Sequence, residues 1–343
     1  MKVELYFYFL EGLRRMNIST LYLGMKLSSP IIPSASPLSR TIGNIKAMED
    51  YGAGAIVLHS ILEEHLRYET QELFYFLTYS GKPQKTLFSF FFSKEEESIT
   101  PDNYLEYIHQ AKKSVHIPII ASINCSRLGG WIKYAAEIQQ AGADALELSI
   151  YYIPTDPEIT GTNIENLYCE IIHTIKNYIT IPIAVKISPF FSSLPNMIQK
   201  FCECGANGIV LFNKLYQPDI NCQTLKIEPH IAVSTSTEIY LPLQWTAILY
   251  DTIEIDIAAS TGIHTAEDAI KLIMAGANVT MMCSALYKNG LQRIRDVVTG
   301  IQRWMIKHEY HSLGQLRGIM SYKSVNDPSM FERVHYIKTM DSL

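Results

Sequence analysis

The chain has 343 residues, 48% of them hydrophobic, with a formal net charge of −5 and an isoelectric point near 6.1. A chain of this length and apolar content can bury a large core, and parallel α/β barrels commonly reach this size as one domain. The slightly acidic charge excludes the basic field that gathers nucleic acid, so we expect a small-molecule partner.

The cysteines and the apolar runs argue against two further classes of protein. The six cysteines include no C-x-x-C pair, so their spacing predicts neither a zinc site nor a disulfide framework. No apolar run reaches the eighteen or so residues that cross a bilayer, and we expect a cytoplasmic protein. Residues 1–22 are predicted to be an N-terminal extension, whose first fifteen residues either precede a start at Met16 or form an amphipathic surface anchor.

Four segments with helical periodicity run into Gly-Ala and then directly into a short apolar run. Glycine after a helix adopts the left-handed backbone that a side chain resists, and the apolar run behind it is typical of a buried parallel strand. The repeated joints therefore predict alternating helices and strands. They are Gly52-Ala53, Gly142-Ala143, Gly205-Ala206 and Gly276-Ala277.

Eight apolar runs are predicted as strands, and each is followed by a helical stretch, the first at residues 42–51. This alternation predicts an α/β fold, a (β/α)8 TIM barrel over residues 23–318, with a C-terminal tail at 319–343. The predicted strands are residues 31–35, 55–59, 119–123, 145–150, 183–187, 209–212, 255–259 and 279–282.

Two insertions follow strands at the face where barrels of this kind place their active sites. Residues 61–100, after the second predicted strand, form a long segment rich in phenylalanine. They are interpreted either as a lid or hairpin over the mouth of the barrel, or as rings that pack against the barrel or a second subunit. The second insertion, residues 214–240, follows the sixth strand.

Polar side chains end six of the predicted strands, which indicates a hydrogen-bonding pocket at the rim of the barrel. Lys186 is the most informative, because the buried run before it is expected to project its ammonium into the barrel mouth. There it can pair with an anionic group or form a Schiff base with a carbonyl substrate. The rim residues are Ser34, Ser36, His59, Ser60, Asn124, Ser149, Lys186, Ser188 and Asn213.

Small residues after the last two strands predict a phosphate-binding site. Ser260-Thr261-Gly262 follows the seventh strand, and Cys283-Ser284 follows the eighth. Loops at these two places, with free backbone amides, form the common phosphate cradle of this fold. The hydroxyl groups add donors, and Gly262 permits close approach of the backbone to a ligand.

Several of these stretches resemble the FMN-binding barrel of the dihydroorotate dehydrogenase family, over about residues 23–318. Residues 304–318 also resemble the C-terminus of its soluble class 1 enzymes. The resemblance implies an FMN-dependent dehydrogenase acting on a CH–CH group, with oxidation of dihydroorotate to orotate in pyrimidine biosynthesis, and a homodimer. The stretches are Ser29-Pro30, Ser34-Ala35, residues 181–186, residues 210–213, residues 260–263 and Asp268-Ala269.

The resemblance also implies roles for individual residues. Lys186 matches the lysine beside flavin N1 and O2, where a cation stabilises the negative charge that develops on flavin reduction. Asn213 matches an asparagine at the edge of flavin and substrate. The other implied cofactor contacts are Ser34, Ala35 and Ser60 at the flavin ring, and Thr261, Gly262, Cys283 and Ser284 at the phosphate.

The segment after the fourth strand departs from the family pattern. Class 1 enzymes carry Asn-x-x-Cys-Pro-Asn there, with cysteine as the base, whereas this chain has Ser149, Tyr152 and Pro154 at the asparagine, cysteine and asparagine positions. Ser149, Tyr152 and Lys186 are the predicted catalytic residues, and Tyr152 serves as a base only if a cation such as Lys186 favours its phenolate. The other candidate proton carriers are Tyr151, His59 and Cys125.

The missing asparagines leave the substrate open, because they are the donors that would read the ring and its carboxylate. One alternative is an FMN oxidoreductase for a different small cyclic or unsaturated substrate. A second is an aldolase that uses Lys186 as a Schiff base on a phosphorylated substrate, and a third is a binding module without turnover. The sequence shows no nicotinamide fingerprint or iron–sulfur cysteine set that would identify the electron acceptor.

Overall fold

A computed structural model describes residues 16–67, 100–214, 217–230 and 233–332, together with residues 336, 337 and 340. The strands are β1 (Thr20–Tyr22), β2 (Met25–Leu27), β3 (Ile31–Pro33), β4 (Ile56–Val57), β5 (Ile61–Leu62), β6 (Ile119–Cys125), β7 (Ala145–Ile150), β8 (Ile183–Ile187), β9 (Gly208–Leu211), β10 (Gln217–Asn221), β11 (Lys226–His230), β12 (Asp256–Ser260) and β13 (Val279–Met282).

Eight of these strands form a parallel barrel in chain order, which confirms the predicted α/β fold. They are paired from β4 through β6, β7, β8, β9, β12 and β13 to β3. The remaining seam, between β3 and β4, is joined by a hydrogen bond of 2.8 Å from the Gly54 amide to the Ile31 carbonyl. The carboxyl ends of all eight strands therefore meet at one rim.

Helices follow the strands and cover the outside of the barrel. The helix Leu194–Glu203 is typical, because its buried residues Leu194, Met197, Ile198 and Phe201 recur at the helical period and face the strands. The helices are Ile42–Asp50, Glu63–Arg67, Pro101–Ser114, Tyr134–Gln140, Gly161–Lys176, Leu194–Glu203, Tyr240–Leu249, Ala266–Ala275, Ser284–Asn289, Arg293–Lys307 and Leu313–Leu316.

The four Gly-Ala joints lie where the sequence predicts, between a helix and the next strand. Their glycines have φ values of 95°, 101°, 103° and 127°, in the left-handed region that a side chain disfavours. At Gly276 a Cβ atom would also lie 2.4 Å from the Tyr250 side chain. These joints explain why the starts of the strands behind them are readable from sequence.

A hairpin of β1 and β2 closes the end of the barrel opposite the rim. Tyr22, placed in the N-terminal extension by the sequence, is wholly buried inside the barrel. It packs in one cluster with small residues of three strands, Ala145, Ala184 and Ala258. The small side chains leave the space that the tyrosine ring fills, so the hairpin belongs to the barrel core.

The two insertions differ in what the structure describes. The aromatic residues of the first insertion, which span positions 74–92, lie outside the described residues. The second insertion contains the antiparallel hairpin of β10 and β11, followed by a short 3₁₀ turn at Ser236–Ile239. This turn brings the end of the insertion against the loops that follow β12 and β13.

The C-terminal residues of the described chain pack onto the barrel helices. The amide of Tyr322 donates to the Ala247 carbonyl at 2.9 Å, and the amide of Met320 donates to the Met274 carbonyl at 2.9 Å. Ser321 between them is fully buried. Among the described residues, no helix combines the length and apolar character needed to span a bilayer.

Candidate active site

One cavity of about 490 Å³ opens at the rim formed by the carboxyl ends of the barrel strands. Pockets of this size accommodate cofactors and small substrates, and barrel enzymes place their chemistry at this face. It is lined by Ser34, Ala35, Ser36, Pro37, Ser60, Asn124, Glu147, Ser149, Lys186, Asn213, Lys214, Val233, Ser234, Ser260, Thr261, Gly262, Ile263, Met281, Cys283, Ser284 and Tyr287.

Lys186 lies at the floor of this cavity, 7% exposed, on the interior face of β8. Its ammonium donates to the Ser34 hydroxyl at 3.0 Å and lies 3.5 Å from a carboxylate oxygen of Glu147. An ammonium has three N–H donors. Among the described residues, Ser34 accepts from one of them and Glu147 lies at ion-pair distance, so donor capacity remains for a ligand in the cavity.

Glu147 is the site residue that sequence reasoning missed. It lies on β7 with no exposed surface, and Ser122 donates to its Oε1 atom at 3.4 Å. The Ser122 hydroxyl lies 2.8 Å from that of Ser60 on the cavity wall. A glutamate within an otherwise apolar buried strand was the signal, since such residues are almost never buried without a partner.

Ser149 and Asn213 form a second polar pair in the cavity. The Asn213 side-chain amide donates to the Ser149 hydroxyl at 3.0 Å, across the site from the end of β9 to β7. Ser149 is 4% exposed. Among the described residues, this is the hydrogen bond that the Asn213 side chain makes, so its second amide proton and its carbonyl oxygen can meet a ligand.

The loop after β12 forms one end of the cavity, at residues that the sequence predicts to bind phosphate (the phosphate end). Thr261 and Gly262 both have positive φ, 76° and 86°, and the Thr261 hydroxyl donates to the Phe212 carbonyl at 3.2 Å. A Cβ atom on Gly262 would lie 2.4 Å from the Ile239 nitrogen. Successive left-handed residues of this kind turn backbone amides toward one point, which creates a concavity for an anion.

The end of the second insertion covers this loop from the other side. The Ser234 amide donates to the Ser284 hydroxyl at 2.9 Å, and the Lys288 ammonium donates to the Ser234 carbonyl at 2.8 Å. Cys283, beside Ser284, also lines the cavity. Burial raises the pKa of the Cys283 thiol, while Lys186 and a hydrogen bond with Ser36 oppose that shift.

His264 flanks the phosphate end without lining the cavity. Its Nε2 atom lies 3.1 Å from the Ser234 hydroxyl, and its backbone amide donates to Asp268 at 3.0 Å. Burial lowers the pKa of His264, and the neighbouring Lys288 lowers it further. The ring is thus held mainly neutral beside the cations of this end.

The sequence comparisons identify the family of this barrel. The profile of the family described as dihydroorotate dehydrogenase matches residues 96–305, more than half of the chain. The chain belongs to the dihydroorotate dehydrogenase family. The match covers β6 to β13 and therefore most of the cavity wall.

Curated relatives cover nearly the whole chain. The catalytic subunit of dihydroorotate dehydrogenase B (NAD(+)) from Thermoplasma acidophilum is 26% identical over 319 residues, which are 88% of this chain and 98% of the relative. The same subunit from Thermoplasma volcanium is 25% identical over 319 residues, again 88% of this chain and 98% of the relative. A putative dihydroorotate dehydrogenase A (fumarate) from Aeropyrum pernix is 25% identical over 218 residues, 61% of this chain and 69% of the relative.

The structure brings all of the predicted cofactor residues of this dehydrogenase family member to one cavity. Lys186 and Ser149 of the predicted catalytic set line it as well, but Tyr152 does not. Tyr152 is half-buried and packs against the hydrophobic layer outside the strands. The residue at the position of the family base is therefore separated from the cavity wall in this arrangement.

The other candidate proton carriers, Tyr151, His59 and Cys125, are also absent from the cavity lining. His59 is buried against the rings of Tyr104 and Tyr107, with ring centroids 5.2 and 5.5 Å away. Cys125 is 1% exposed, and burial, reinforced by Glu63 and Glu64, raises the pKa of its thiol well above the usual range. A thiol in such surroundings is not a reactive thiolate.

Proposed function

We propose that this chain is an FMN-dependent oxidoreductase that oxidises dihydroorotate to orotate, a CH–CH dehydrogenation of pyrimidine biosynthesis. One observation carries the proposal: the lysine, the asparagine and the two phosphate-end loops implied by the family resemblance all line a single cavity. The dihydroorotate dehydrogenases among its relatives support the same reaction.

The residues of the cavity fit the flavin cofactor. Thr261 and Gly262 would hold the phosphate through their backbone amides, and the Ser284 hydroxyl, which accepts from the Ser234 amide, keeps its own proton to donate. Ser34, Ala35, Ser60 and Lys186 would hold the ring system at the floor of the cavity. When bound, FMN supplies the acceptor for the hydride that leaves the substrate.

The protein residues orient the reactants and stabilise charge. Lys186 would direct N–H donors that Ser34 does not use, and the positive end of its ion pair with Glu147, toward the negative charge that develops during the reaction. Asn213, fixed by its bond to Ser149, offers its second N–H and its carbonyl oxygen to the substrate. The buried floor excludes water below these groups, which strengthens their electrostatic effect.

A second candidate is an FMN oxidoreductase for a different small cyclic or unsaturated substrate. It is favoured by Ser149, Tyr152 and Pro154 at positions where the family pattern has asparagine, cysteine and asparagine, and by the location of Tyr152 outside the cavity lining. The relatives' names specify NAD(+) in one case and fumarate in another.

An anaerobic spectral titration tests the proposal and separates the candidates. Protein reconstituted with FMN is expected to show bound-flavin absorbance that is lost when dihydroorotate is added. Bound flavin that dihydroorotate does not bleach would support the second candidate. Protein that binds no FMN would contradict both, and borohydride trapping of a carbonyl substrate on Lys186 would then support the aldolase alternative.

We also propose that the chain forms a homodimer, as the family resemblance implies. Light scattering of the purified protein is expected to give about twice the chain mass of 38.9 kDa. A mass equal to that of one chain would contradict this assembly.

A further inference from the structure

Glu147 lies in an environment that is unfavourable for a carboxylate. Its side chain is fully buried, its Oε1 atom lies 3.5 Å from the Lys186 ammonium, and its Oε2 atom has no hydrogen-bond partner among the described residues. Burying a carboxylate in this way carries a desolvation cost that a single ion pair often fails to repay. A contribution to folding stability therefore does not by itself explain why a glutamate occupies this position.

The carboxylate is the centre of a continuous polar chain across the cavity floor. It connects Ser34, Lys186, Glu147, Ser122 and Ser60 through separations of 3.0, 3.5, 3.4 and 2.8 Å. Both terminal serines line the cavity. Glu147 therefore fixes one side of the lysine ammonium while Ser34 fixes another.

Within the part of the chain that the structure describes, the other groups around Glu147 supply no second cation. Tyr22 and Tyr104 face it from the closed end and the helix layer, and burial raises the pKa of both phenols, with Glu147 adding to the shift. Both phenols are thus neutral. The Lys186–Glu147 pair as a whole carries no net charge, so the floor of the cavity is less positive than the lysine alone would make it.

We propose that Glu147 is a positioning residue that fixes the Lys186 ammonium and balances its charge, thereby setting the reduction potential of the flavin bound above it. The inference rests on the proposed function, because it requires FMN in this cavity. In this role Glu147 would limit how strongly the Lys186 ammonium stabilises the reduced flavin.

The test is the Glu147→Gln variant, in which the side chain keeps its shape and loses its charge. The uncompensated Lys186 charge should favour the reduced flavin, raising the equilibrium constant for two-electron reduction at least about tenfold, or about 30 mV in potential. The potential is measured anaerobically by equilibration of the bound FMN with a reference dye. A Glu147→Gln protein with the wild-type potential, or a lower one, would overturn the proposal.

Glu165→Gln is the matched control, because Glu165 also pairs with a lysine, Lys200 at 2.8 Å, but on the outer helices. It should leave the potential unchanged, and a shift as large as that of Glu147→Gln would overturn the proposal.

The double variant Glu147→Gln, Lys186→Met keeps the test decisive if the single variant does not fold, since it removes both buried charges. Loss of the Glu147 carboxylate should offset most of the effect of losing the Lys186 ammonium, so the reduction equilibrium should fall by less than tenfold relative to the wild type. A tenfold or greater loss in the reduction equilibrium would mean that Lys186 acts without its carboxylate, and would overturn the proposal. Wild-type protein that binds no FMN would instead contradict the proposed function, so the two failures are distinguishable.

Discussion

The phosphate end of the cavity and the segment after β7 stand in contrast within one barrel. At the phosphate end, the loops after β12 and β13 and the end of the second insertion form an interlocked set of backbone and hydroxyl groups. After β7, the residues at the family's base and final asparagine positions are Tyr152 and Pro154, and Tyr152 does not line the cavity. Under the proposed function, cofactor binding and substrate chemistry are separable, because different loops would carry them.

The largest expected effect is a loss of FMN affinity when a side chain is added at Gly262, in the phosphate end. In Gly262→Val the side chain would collide with the backbone at Ile239, and valine also resists a φ of 86°. We expect the dissociation constant for FMN to rise at least 100-fold, measured by quenching of flavin fluorescence.

Gly161→Val is the matched control for this change, because a Cβ atom there meets nothing within 4 Å and the backbone has an ordinary φ. Unchanged FMN affinity in Gly262→Val would show that the phosphate end does not hold the cofactor. The division between a cofactor-binding end and the segment after β7 would then be wrong.

A smaller effect is expected on the free energy of unfolding, which should depend on pH through His264 beside the phosphate end. The pKa of His264 is lowered in the folded protein, by burial and by Lys288 and Arg293, against the opposing carboxylates of Asp268 and Glu238. The unfolded chain therefore binds more protons below about pH 6.5, so the free energy of unfolding should fall as the pH decreases from there.

Urea unfolding at pH 7.5 and 5.5 measures this dependence, which His264→Gln should reduce while retaining a hydrogen bond to Ser234. Exposed His173 provides the control, since His173→Gln should leave the pH dependence as it is in the wild type. If the wild type and His264→Gln show the same pH dependence, His264 is not the source of this loss of stability at low pH.

The smallest effect is expected at Tyr152. Because this side chain packs against the outer hydrophobic layer, Tyr152→Phe should keep FMN affinity and change the rate of flavin reduction by no more than about threefold. Stopped-flow reduction by dihydroorotate measures that rate. A loss of about 100-fold or more would show that Tyr152 enters the cavity during turnover and acts as the base, as its position in the family pattern suggests.

Much of the barrel could be predicted because its signals are local. The predicted bounds of β7, β8 and β13 coincide with the observed ones, since a glycine stop or an Ile-Pro start precedes an uninterrupted apolar run. Seven of the nine predicted rim residues line the cavity, because the carboxyl ends of parallel strands meet at one face, whereas His59 and Ser188 do not line it.

The features that escaped prediction depend on contacts between distant parts of the chain. Burial of Tyr22 depends on the small residues Ala145, Ala184 and Ala258, which are far away in sequence. The pairing of Glu147 with Lys186 depends on the register of β7 against β8, in which Ser149 lies opposite Lys186 and Glu147 points to the same interior. Neither contact is encoded in a local pattern.

The most direct test of the account is the FMN content of the wild-type protein after reconstitution and removal of free flavin. The account predicts one FMN per chain, with visible absorbance of bound flavin, and its loss in Gly262→Val but not in Gly161→Val. A wild-type protein that remains colourless after reconstitution would contradict the claim that this cavity is a flavin site.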